Sequence, residues 1–127
     1  MWEAYGWEND DLLWAGTAFR GGIAGAQEGP CGAVSGMALV TGLRRRYSGK
    51  DNAQAEQERK AAVDETAVLV KQFKEKYGSI TCLELVGVDF NDKDAVKKAR
   101  EAGTMGDCPG QVQYAIELLY RMESKRG

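Results

Sequence analysis

Three cysteines, Cys31, Cys82 and Cys108, are the residues of this 127-residue chain best suited to chemistry, and they work without histidine, which is absent. The lack of imidazole removes the usual general base and the usual neutral metal ligand, along with every Ser-His or Cys-His pair. What remains is thiol chemistry: attack on a disulfide, binding of a soft metal, or reaction with an oxidant, each carried out by the thiolate. An odd number of widely spaced cysteines argues against a secreted disulfide framework.

Each cysteine falls at the expected start of a helix. Cys31 follows Pro30 in "EGPCGAVSGMALVTG", where proline suits a first helical turn and Gly42 with Arg44-Arg45-Arg46 marks the end. Cys82 follows Thr81, which with Glu84 has the spacing of a capping box and opens a short helix stopped by Gly87. Cys108 lies between Asp107 and Pro109, at the cap or first position of the last helix, expected over about Pro109 to Glu123. Unpaired N–H groups and the positive end of the helix dipole favour an anion at such positions, and can draw a thiol from about 8.5 towards neutrality. The bland alternative is that cysteine serves as a small buried apolar residue. Gly32 and Gly36, four apart on one face, are the positions at which a bound cofactor, or a neighbouring backbone, would come close.

The elements that hold these residues all read as helices. Asn9-Asp10-Asp11 caps a helix with Leu12, Ala15, Gly16 and Phe19 on one face, and the aromatic residues before it look like the tail of an earlier helix. Asp51 with Gln54 opens the longest helix, which ends at Gly78 and has an expected buried stripe of Val63, Ala67, Val70, Phe73 and Tyr77. A further helix is expected over Asn91 to Ala102, and the last should bury Val112, Ala115, Ile116 and Leu119. No period-two alternation persists, so the fold class is all-α: one domain over 1–127 with five or six helices.

Composition excludes several functions. A net charge of −2 gives no basic footprint for nucleic acid or an anionic membrane. No basic leader and no apolar run of bilayer length is present, so neither membrane insertion nor export is expected and the cytoplasm is the default. Glycine is high, at 16 of 127 residues, but "RGGIAGAQEG" (20–29) follows no strand and fits neither nucleotide-binding glycine pattern.

Together "AFRGGIAG", "CGAVSG", "FKEKYGSITCLELVG" and "DCPGQVQYAIELL" resemble the redox-active C_GCAxxG_C_C family, named for its cysteines, over nearly the whole chain. The resemblance implies an α-helical domain whose cysteines form one site, here Cys31, Cys82 and Cys108. The family's first cysteine precedes the position of Trp7 and has no counterpart, so either the N-terminal helix is cut short or this member has lost one thiol, and one chain cannot complete a four-thiolate site. The leading function is a thiol redox protein with Cys31 as nucleophile and Cys82 or Cys108 as its resolving partner, leaving open whether it is an enzyme. A second reading makes the same three cysteines ligands for Zn, Cu(I) or an iron–sulfur cluster, and a third makes the chain a non-catalytic helical interaction module. The expected partners are an unidentified redox partner or small substrate and a second copy. The homodimer would form through aromatic residues left bare at the N-terminus and the Gly32–Gly36 face.

Overall fold

The computed structural model describes the backbone of residues 1–126 and the side chains of residues 1–125. Among the described residues it is all helix and turn: α1 (Asp11–Gly16) with a following 3₁₀ turn (Thr17–Phe19), α2 (Gly32–Arg44), α3 (Asn52–Tyr77), α4 (Cys82–Val86), α5 (Lys93–Ala102) and α6 (Cys108–Arg126). The one β-type pairing is an isolated antiparallel bridge between Pro30 and Thr81.

The core lies where α2, α3 and α6 pack together. Val34 and Met37 of α2 meet Leu69 and Phe73 of α3 and Ala115, Leu118 and Leu119 of α6, all buried. The stripe expected on α3 holds in its second half, where Phe73 is sealed and Val70 and Tyr77 pack against the core, but not in its first: Val63 is 68% exposed and Ala67 is exposed, while Leu69 is sealed in their place. Arg45, at the end of α2, donates to Glu58 and Glu65 and ties that half of α3 to α2 through ion pairs rather than apolar packing. On α6, Val112 is exposed and Ile116 only half-buried, and Leu118 takes the core place expected for them.

The helix ends also refine the expected ones. Asp51 caps α3 through Ala53 and Gln54 N–H groups, and Asp92 caps α5 through Ala95 N–H. Thr81 makes no side-chain cap bond, so the expected capping box at α4 does not form. Pro30 belongs to the bridge rather than to α2, which leaves Cys31 as the N-cap.

Residues 2–6 form a helical turn closed by Gly6 at φ +64°, with Trp7 N–H donating to Trp2 C=O and Gly6 N–H to Glu3 C=O, the 6→1 and 5→2 bonds of a Schellman end. Tyr5 stacks on Trp7 at 4.9 Å and donates to Glu123 of α6 at 2.5 Å. The N-terminal aromatics are thus half-buried in their own chain, and Trp14, 73% exposed, is the tryptophan left bare. This reduces the aromatic surface on which a homodimer was expected.

Residues 21–25 all have positive φ, including Ile23 (70°) and Ala24 (55°), and Gln27 follows at 61°. L-residues resist this left-handed turn by about 1–2 kcal/mol each. Backbone bonds hold it in place: Ala24 N–H to Ala18 C=O, Gly25 to Arg20, Gln27 to Gly21 and Gly29 to Gly22. These N–H groups are spent within the loop, which agrees with the absence of a phosphate-binding pattern.

Gly36 lies inside α2, and a Cβ added there would meet nothing within 4 Å. Gly36→Ala should therefore raise stability by about 0.5–1 kcal/mol through helix propensity, read as a higher Tm. Gly22→Ala should lower it by more than about 2 kcal/mol, because a Cβ there meets Cys82 Cβ at 2.7 Å at a φ of +69°. Burial, followed by the bond to Glu123, pushes Tyr5 up to about 12. Its contribution is therefore complete below the unfolded tyrosine pKa near 10 and is lost as pH rises towards 12. Between pH 9 and pH 11.5, the urea midpoint should fall further in the wild type than in Tyr5→Phe.

Candidate functional site

Three chain segments meet at the site: residues 29–31, 80–82 and 106–108. The first two are joined by the single bridge, in which Cys31 N–H donates to Ile80 C=O at 2.6 Å and Cys82 N–H to Gly29 C=O at 3.0 Å. The third is tied to α4, where Gly106 N–H donates to Val86 C=O at 3.0 Å. Residue 106 must be glycine, because a Cβ would fall on Leu85 C=O. Asp107 then caps α6 through Gly110 N–H. The result places Cys31 as the N-cap of α2, with Cys82 and Cys108 as the first residues of α4 and α6.

All three cysteines line one cavity of about 260 Å³, together with Arg20, Gly32, Ala33, Leu85, Phe90 and Gln111. They differ in access: Cys108 is exposed, Cys31 half-buried and Cys82 buried, and none is disulfide-bonded. Burial pushes the Cys82 thiol up, and the neighbouring Cys31 and Cys108 thiols add to the shift. Cys108 is also raised, by desolvation first and then by Cys31 and Asp107.

Two buried glutamines, not expected from the sequence, support the thiols. Cys31 Sγ donates to Gln111 Oε1 at 3.8 Å, and Gln111 is 3% exposed. Gln27, 2% exposed, donates from Nε2 to Val88 C=O at 3.0 Å and accepts from Phe90 N–H at 2.7 Å, while its backbone C=O accepts from Leu83 N–H. It also bonds the Cys82 sulfur in the sense that favours thiolate, against the larger effect of burial. Helical spacing gives a signal for Gln111, one turn after Cys108 on α6. Gln27 gives none, because its place depends on a left-handed loop. Tyr77, tilted against Phe73 and edge-on to Tyr114, is raised chiefly by burial, with Cys31 among the smaller causes. Its hydroxyl donates to Gly110 C=O at 3.3 Å in the first turn of α6.

The chain matches the family described as "Putative redox-active protein (C_GCAxxG_C_C)" over residues 1–122. It belongs to that family. Neither the curated proteins nor the solved structures contain a match. Gly32 and Gly36, the family-segment glycines assigned to a bound group, line cavities along α2 rather than a close helix contact. Among the described residues of this C_GCAxxG_C_C protein, no three His, Cys, Asp or Glu side chains are grouped to hold a metal ion. The cysteines share a cavity without forming a ready three-thiolate ligand set. No helix among the described residues is long and apolar enough to cross a membrane.

Gln27→Leu should leave Val88 C=O and Phe90 N–H without their partner, lowering stability by about 1–3 kcal/mol in urea unfolding. It should also speed amide exchange at residue 90, with α3 and α6 protection retained.

Proposed function

We propose that the protein is a thiol redox protein in which Cys31 attacks and a second cysteine of the same cavity resolves. The observation that carries this reading is the convergence of three helix-starting cysteines, from segments far apart in sequence, on one small cavity. Membership of a family named as redox-active points the same way.

Chemically, Cys31 thiolate attacks a disulfide of the partner, forming one S–S bond as the partner's own breaks and releasing one partner thiolate. A second cysteine thiolate then attacks Cys31 Sγ, leaving an intramolecular disulfide and the second partner thiolate. Cys31 is the suitable first thiol. It stands at the positive end of a 13-residue helix and is more open than Cys82. Cys82 and Cys108, both raised chiefly by burial, line the same cavity and are the candidates for the second step. Arg20, Gln111 and the N–H groups at the start of α2 supply the polar side of the cavity.

Cys31→Ser should abolish iodoacetamide labelling at pH 7 while leaving the helical circular dichroism unchanged. In the wild type, mild oxidation with glutathione disulfide should reduce the native thiol count from three to one. Three persistent free thiols, or unchanged labelling of the variant, would show the reading to be wrong.

A further inference from the structure

The thiol cavity is one of three that run along the same face of α2. It shares Arg20 and Gly32 with a cavity of about 420 Å³ walled by Trp2, Trp7, Phe19 and Leu39. Gly32, Gly36 and Val40 continue into a third, of about 210 Å³, against α6. The middle cavity has the volume of a small-molecule site. Its lining is apolar apart from Thr17 and Arg20, and the Thr17 hydroxyl donates to Leu13 C=O. Arg20 is therefore the cationic handle of an otherwise greasy chamber, placed where that chamber opens onto the thiols.

We propose that this chamber binds a flat, apolar two-electron acceptor of the quinone class, with its ring among Trp2, Trp7 and Phe19 and a ring oxygen at Arg20. The inference rests on the thiol-redox reading and names a small-molecule oxidant for the same two-electron thiol oxidation, in addition to a partner disulfide. Aromatic walls favour a planar ring, which stacks or meets them edge-on. A peptide disulfide placed there would leave its backbone N–H and C=O groups unpaired, and a peroxide would make no use of apolar walls. Guanidinium donors meet the quinone oxygen and stabilise the charge that grows on it as electrons arrive. Gly32, at the junction, directly follows Cys31, so a ring in the chamber presents its oxygen-bearing edge towards the thiols. The reaction balances: two cysteine thiols lose two electrons and two protons and form one disulfide, and the quinone gains both and becomes the hydroquinone.

The test uses Gly36→Leu. A side chain there enters open space in both α2-lined cavities and meets no atom within 4 Å at its Cβ, so the helix is kept while the chamber fills. Reduced protein is titrated with 2,3-dimethyl-1,4-naphthoquinone, whose blocked ring positions prevent thiol addition. Tryptophan quenching reports binding and a thiol count reports electron transfer. Wild type should quench saturably and lose two of its three thiols. Gly36→Leu should bind about tenfold more weakly or worse, and Arg20→Gln several-fold more weakly. Non-saturable quenching of wild type, or equal saturation in Gly36→Leu, overturns the proposal. If glutathione disulfide still oxidises the thiols in that case, only the choice of oxidant fails and the redox reading stands. Saturable quinone binding with all three thiols persisting against both oxidants overturns the redox reading and, with it, the role given to the chamber. A wild-type dimer that becomes monomeric in Gly36→Leu by light scattering would name a second copy as the occupant, and would also overturn the proposal.

Discussion

One rung of antiparallel pairing organises the whole site. Cys31 N–H to Ile80 C=O and Cys82 N–H to Gly29 C=O tie the start of α2 to the start of α4 across about fifty residues of chain. Two hydrogen bonds alone contribute little net stability, about 0.5–1.5 kcal/mol each, so the rung survives only because its surroundings leave it no alternative. The left-handed loop feeds Gly29 into place, and Gln27 binds it from below through Leu83, Val88 and Phe90. Gly22 lets the loop backbone lie directly against Cys82. If this loop lost its shape, two of the three thiols would lose their common register, while the α2–α3–α6 core could remain packed.

The division of labour between core and site follows from this arrangement. The core is ordinary helix packing of aliphatic and aromatic side chains, and ion pairs from Arg45 to Glu58 and Glu65 join α2 to the polar first half of α3. The site instead is built from backbone: a rung, a glycine pressed on Leu85 C=O, and a cap at Asp107. The three thiols it presents line one cavity while differing widely in exposure.

How much of this was legible in the sequence depended on whether the cause was local. Helix starts were, to within a residue or two, because Asp51 and the cysteines after Pro30 and Thr81 act within a turn of themselves, and the all-α class followed from periodicity. Faces were less so. Val63 and Val112 look like core residues by spacing, yet both are exposed, while Leu69 and Gln111 are buried, because which face packs inward depends on neighbouring helices distant in sequence. The cysteine positions could be read from three separate helix starts, and their convergence only through the family resemblance. Gln27 could not be read at all, since a buried amide at positive φ has no pattern in one dimension.

The loop over residues 21–25 is, over five residues, a turn of the wrong hand for the amino acids that make it. Ile23 and Ala24 carry side chains on a backbone that suits their mirror images. The mirror form of alanine, placed chemically at position 24, would find there the conformation it prefers, so that inverting one stereocentre relieves the chain where elsewhere in these helices it would break it.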